Sequence, residues 1–247
     1  MHQLILALKT ILITVTLLAA SYQDIKTREI EDKIWLISGV IGALLTTYEI
    51  LTTPDYPLMV VGLSIGLTSI LAFGIFYFGL YGGADAKALV AIAVTMPLAP
   101  TSLNLFSPIF PLTILGNSLI ISLILIPACL VANLIWYFSG ATLFEGITAT
   151  KIQKVGAVFT GLKVKPATAK SVHFNLMEKI AGNGGHYLRL FSRITEEDEI
   201  KRIDENRPNV WVTPAIPMIV FFLIGFLSSF AAGDFIFRIL IYFLALA

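Results

Sequence analysis

The chain has 247 residues, 57% hydrophobic and 13% charged, with a formal net charge of +1 and a mean hydropathy of +0.85. Soluble domains run at about 45–50% apolar and about 25% charged, so this is the composition of a membrane protein. A near-neutral balance removes bulk electrostatics as a basis for nucleic-acid binding, and a single cysteine, Cys129, excludes a disulfide framework or a cysteine-rich metal site.

About 20 apolar residues cross a hydrocarbon layer of about 30 Å. Six stretches are predicted to do so, near 3–22, 34–51, 57–80, 86–106, 109–138 and 214–233. The first has no basic flank before it and reads as a retained spanning helix, not a cleaved signal peptide. The fourth is the weakest, because AKALVAIAVTM gives little more than three turns before Pro97 and Pro100. Charge placement decides it. The segments 23–33, 81–87 and 139–213 hold all of the 17 basic residues except Lys9 and Arg238. The loops near 52–56 and 99–110 hold none. Six crossings put the basic segments on one side, the cytoplasmic one, and both termini on the other. Lys9 and Arg238 are expected to snorkel or to pair locally.

Region 139–213 differs in composition from the rest. KVGAVFTGLKVK and HYLRLFS alternate like short strands, GNGG at 182–185 marks a turn, and TEEDEIKRIDEN reads as a polar helix capped by Thr195, with Asp198 three residues on. The stretch Thr213-Pro214-Ala215-Ile216-Pro217 then reads as a helix start, where proline is favoured. The expected fold is an all-α polytopic membrane protein of six transmembrane helices with a small cytosolic α+β insert between helices 5 and 6. Its parts are a membrane domain at 1–138, the insert at 139–213 and the last helix within 214–247.

Ionisable residues at the ends of apolar spans are costly and therefore informative. Histidine offers little: His2 is terminal, while His173 and His186 fall in the insert. With no HExxH helix and no spanning histidine to act as a base, neither zinc hydrolysis nor serine catalysis is expected, and no metal or cofactor is implied. The carboxylates remain. Asp24 follows the first span in SYQDIKTREIEDKIW, and Asp85 opens the fourth in GLYGGADAKALVAIAV. The charge bias puts both at the same membrane face. Two carboxylates sharing a proton can activate water while polarising a carbonyl. Position alone also allows Asp85 to be a helix cap and Asp24 a solvated loop charge. Asp234, in AAGD, falls on the opposite side four residues before Arg238 and reads as half of a structural ion pair. A small six-span transporter or channel subunit, or a membrane assembly scaffold, stays open at this point.

The two aspartate stretches resemble the type IV prepilin and archaeal preflagellin peptidases, which belong to the GxGD intramembrane aspartyl proteases. Asp24-Ile25-Lys26-Thr27-Arg28-Glu29-Ile30 matches their D-[IL]-[KR]-x-R-x-I pattern at every defined position. Gly82-Gly83-Ala84-Asp85 matches G-x-G-D except at the third position, where alanine stands, so a left-handed backbone at residue 84 is not expected. The short first loop and lone Cys129 are similar to the archaeal preflagellin branch and imply no methyltransferase activity. The resemblance implies an aspartic endopeptidase whose catalytic pair is Asp24 and Asp85, with Gly82, Gly83 and Ala84 forming a loop that admits an extended substrate. It implies preflagellin or pilin-like precursors as partners, cut after a glycine at the end of a short basic leader. Glu29, Glu31 and Asp32 are candidate contacts for that leader. The lipid bilayer is the other partner, and the sequence sets no oligomeric state. Helix dipoles lead us to expect the shared proton on Asp24, at a helix C-terminus, and the charge on Asp85, at an N-terminus.

Overall fold

The computed structural model describes residues 2–103, 105–140, 142–181, 185–190 and 207–246. It divides into two compact units, Met1–Ser122 with Pro217–Ala247, and Leu123–Ile216. Four helical stretches are long and apolar enough to cross a membrane, the fourth being Phe110–Phe138, or five spans if the last, bent pair counts as one. The protein is therefore a mostly helical, multi-pass membrane protein.

In the first unit, α1 (His2–Thr27), α2 (Asp32–Thr52) and α3 (Leu58–Tyr77) are full-length candidate spans. The predicted fourth span differs. Helix α4 (Gly83–Thr95) has 13 residues and reaches only about 20 Å. Beyond it Met96–Ala99 runs without helix to Pro100, a 3₁₀ turn covers Thr101–Leu103, and Leu98 bridges to Ile109. Pro97 and Pro100 account for the stop, since proline removes a donor and disfavours helix in the residue before it.

A helix that ends early strands its last carbonyls, and in an apolar setting each one needs a donor. The neighbouring helices supply them. Thr46 Oγ1 on α2 donates to the carbonyls of Val94 and Thr95 at 2.8 and 2.9 Å, and Ser64 Oγ on α3 donates to that of Pro97 at 2.6 Å. Helix α4 also carries small buried residues, Ala86, Ala88, Ala91 and Ala93, which let backbones approach closely. Gly42 on α2 shows how close: a Cβ there would lie 1.9 Å from Thr95 Oγ1. The short helix is thus walled in by α1, α2 and α3.

The rest of this unit is α5 (Phe110–Ser122), followed later in the chain by what we number α9 (Met218–Ala232) and α10 (Phe235–Leu246), bent by 54° at the break between them. At that bend Asp234 is buried. Its carboxylate accepts from Thr113 Oγ1 at 2.9 Å and from the Phe237 amide at 3.2 Å. The expected Asp234–Arg238 ion pair is absent among the described residues. Asp234 caps α10 instead, which answers the orphan amides of a helix start more directly.

The second unit contains α6 (Leu125–Phe138), α7 (Lys151–Thr160), α8 (Pro166–Ala169) and two small sheets. Parallel β1 (Ile147–Thr148) and antiparallel β4 (Glu178–Ile180) flank β5 (His186–Leu188). β2 (Leu162–Val164) and β3 (Phe174–Leu176) pair antiparallel with β6 (Val210–Pro214). Trp211 is fully buried here, stacked on Phe144 at 5.0 Å, its indole N–H donating to the Leu143 carbonyl at 2.9 Å. Glu178 is buried beside it, accepting from the Trp211 amide and ion-paired to Arg207. The predicted strands are half right. HYLRLFS supplies β5, but KVGAVFTGLKVK begins inside α7 and becomes a strand only at Leu162. Thr150 and Gln153 form a capping box that starts this helix, with reciprocal bonds of 3.2 and 2.8 Å. The expected helix start at Pro214 is also displaced: Pro214 ends β6 and α9 starts at Met218. Most of the GNGG turn and the TEEDEIKRIDEN helix lie outside the described residues.

Candidate active site

Along α1 the buried positions are Ile5, Lys9, Ile13, Leu17, Ala20, Ser21 and Asp24, a stripe at helical spacing. Asp24 is its last member. The same periodicity that buries the apolar residues thus carries a carboxylate inward, where it is 8% exposed. Arg28 follows with a φ of 60°, an uncommon left-handed turn for a side-chain-bearing residue, and α1 stops just before it. Its amide donates to the Asp24 carbonyl at 3.2 Å, and its Nη1 lies 3.2 Å from Asp24 Oδ1.

Asp85 is the third residue of α4 and half-buried. Gly82, not Asp85, occupies the N-cap position, and Asp85 Oδ2 accepts from the Gly82 amide at 3.0 Å. The carboxylate therefore caps from inside the helix, as the acidic member of a capping box does. Gly83 and Ala84 are helical, and no left-handed backbone occurs between residues 82 and 84. A Cβ on Gly83 would meet only the Phe76 ring, at 3.5 Å, and one on Gly82 only Asp85 Oδ2, at 3.4 Å. The fold itself does not demand glycine at either place.

Helices α1 and α4 are in contact, and the charges of Asp24 and Arg28 are both felt at Asp85. Asp85 lies outside the candidate spans, and burial pushes its carboxyl from 3.8 up to about 7. The Gly82 hydrogen bond and the Arg28 charge oppose that rise, and the Asp24 charge adds to it. Tyr81, also half-buried, is pushed up to about 12 by burial and by Asp85. The rise at Asp85 runs against the helix-dipole expectation of a charged side chain there, because desolvation outweighs the dipole.

The three acidic residues after Asp24 are exposed. Asp32 pairs with Lys87 at 2.5 Å, tying the start of α2 to α4. The backbone of Glu31 donates to Gln23 Oε1 at 2.9 Å, and that of Glu29 bonds with Thr27 Oγ1. Sequence reasoning missed Tyr81, whose place directly before the glycines was a readable signal. The expected pairing of Lys9 is found at the other end of α1, where Lys9 Nζ meets Glu49 Oε2 at 2.5 Å and Tyr56 donates to the same oxygen at 3.1 Å, partners that sequence reasoning did not name.

These features define a polytopic membrane protein with two communicating carboxylates at adjoining helix ends, one of them set to exchange a proton near neutrality. Residues 11–126 match the model of the type IV leader peptidase family, and residues 153–235 match that of the archaeal peptidase A24 C-terminus, type II. Over these two stretches the chain is similar to the type IV leader peptidase family. It is 28% identical over 228 residues to a preflagellin peptidase of Methanococcus maripaludis, covering 88% of this chain and 92% of that one. Preflagellin peptidases of Methanococcus voltae and Methanocaldococcus jannaschii are 27% and 26% identical, over 91% and 88% of this chain and 95% and 91% of theirs.

Proposed function

We propose that this chain is an aspartic endopeptidase of the GxGD type that removes short basic leader peptides from preflagellin or pilin-like precursors. The observation that carries the reading is that α1 and α4 are in contact and the Asp24 charge is felt at Asp85, whose carboxyl burial pushes up to about 7. Relatives spanning nearly the whole chain, all preflagellin peptidases, support the substrate class.

In this reading Asp24, paired with Arg28, is the base. It takes a proton from water as the water oxygen attacks the scissile carbonyl carbon. Protonated Asp85 gives its proton to the carbonyl oxygen, leaving a tetrahedral diol. Collapse of the diol breaks the C–N bond as one diol hydroxyl returns its proton to Asp85, and the proton held by Asp24 goes to the leaving nitrogen. Gly82 and Gly83 leave room for an extended substrate backbone alongside α4. Glu29, Glu31 and Asp32 offer negative charge to a basic leader.

The topology that goes with this function has six crossings, the stretch near 86–106 making the fourth. That arrangement keeps the basic segments and both aspartates on the cytoplasmic face. Residues 139–213 form a cytosolic insert between a membrane part at 1–138 and the final segment 214–247. The test is mass spectrometry of a leader-bearing precursor incubated with the full-length protein in lipid. Cleavage after the leader glycine, abolished in Asp24→Ala and in Asp85→Ala, is expected. Intact cleavage by both variants would remove the proposal.

A further inference from the structure

Helix α7 is built to do two things at once. Its Gly156–Ala157 side faces inward: Ala157 is fully buried, and a Cβ on Gly156 would lie 2.8 Å from Leu190. Its other side carries Ile152, Val155 and Phe159, spaced by three and four residues and exposed, Ile152 by 81%. Three large apolar side chains on one stripe of a ten-residue helix call for a partner.

The neighbouring α6 indicates which. Asn133, buried within the apolar run Leu125–Phe138, donates through Nδ2 to the carbonyls of Val158 and Gly161 at 2.9 and 2.8 Å. These are the carbonyls that the end of α7 leaves without helical donors. Asn133 lies five residues inside the end of α6, a depth of about 7.5 Å along the helix. Interfacial helices sit about 5–10 Å into the headgroup–acyl boundary, the same depth. On α6 itself Ile135 and Phe138 are exposed at this level. The charges agree. α7 carries Lys151 and Lys154 and no acidic residue, with Lys154 Nζ 5.6 Å from the Phe144 ring centroid.

We propose that α7 is a membrane-surface helix that seats the stripe Ile152–Val155–Phe159 in the bilayer interface, with Lys151 and Lys154 held at anionic headgroups. The occupant of this face is lipid. Seated so, α7 anchors the small sheets of the second unit against the membrane through Gly156, Ala157 and the Asn133 bonds.

Spin-label accessibility in the full-length protein tests it. In a Cys129→Ala background, single cysteines at 152, 155 and, as an aqueous control, 168 are labelled in nanodiscs of phosphatidylcholine with or without phosphatidylglycerol. Labels at 152 and 155 should favour oxygen over a water-soluble nickel chelate and report depths of about 5–10 Å, while the label at 168 stays aqueous. Phosphatidylglycerol should deepen the first two, and Lys151→Gln/Lys154→Gln should cancel that deepening. Labels at 152 and 155 as open to nickel as the control would overturn the proposal. So would protection from both reagents, which would mean that protein covers the face, a second copy or a bound precursor. Depths that ignore lipid charge would overturn the assignment of the lysines.

Discussion

Asp85→Asn isolates the electrostatics of the pair. The side chain keeps its shape and an acceptor for the Gly82 amide but loses its charge. In the wild type folding raises the Asp85 carboxyl from 3.8 to about 7, so the folded protein holds this proton more tightly than the unfolded chain. The resulting stabilisation is complete below pH of about 3.8 and is lost as pH climbs through about 7. At about 1.4 kcal/mol per tenfold change in acidity, the span is worth about 4 kcal/mol. For a chain of this length that corresponds to a change in Tm of about 8–16 °C. Asn cannot ionise, so Asp85→Asn should match the wild type near pH 4 and melt about 8–16 °C higher near pH 8. Tryptophan fluorescence melts in one detergent across that range measure the difference, and the histidines, common to both proteins, cancel. A variant that tracks the wild type at every pH would refute the claim that burial holds the Asp85 proton.

Three other substitutions probe its surroundings. Arg28→Gln removes a charge that lowers Asp85, so the limb of the pH–rate profile belonging to Asp85 should move upward, while Arg28→Lys should restore it. Gly83→Ala fits the helix and should leave stability unchanged or raised by about 0.4–1 kcal/mol, yet slow precursor cleavage if the substrate backbone passes close by; thermal melts and cleavage rates separate the two effects. Lys9→Met leaves the buried Glu49 carboxylate with Tyr56 and His2 as its partners and should cost less in chemical denaturation than the about 3–5 kcal/mol of a fully unpaired buried charge, and the Lys9→Met/Glu49→Gln pair should recover most of it.

How much of this was open to reading from the chain depends on the range of the interaction. The first aspartate motif and the glycine–aspartate turn are contiguous, so their residues were legible in full, but α1 is apolar all round, and only packing shows that the face from Ile5 to Asp24 turns inward. Pro97 announced the early end of α4, but what makes that end tolerable, the hydroxyls of Thr46 and Ser64, comes from helices that only the fold brings together. Helix α7 was readable from Thr150 and Gln153 yet was masked by an alternating pattern that also suits a strand. The placement of the proton was the reading most dependent on packing. Helix dipoles need only helix ends, and the Arg28 counter-ion of Asp24 is local, four residues on, whereas the desolvation of Asp85 exists only once the helices around it pack.

The central claim, that Asp24 and Asp85 act as one catalytic unit, is tested most directly by single-turnover cleavage of a leader-bearing precursor. Wild type, Asp24→Asn, Asp85→Asn and the double variant are compared in the same bilayer, each shown to be folded by its melt. Groups that act together lose activity together, so each single variant should fall by about 10³-fold or more and the double variant no further. A single variant that keeps the wild-type rate, or losses that multiply in the double variant, would contradict the account.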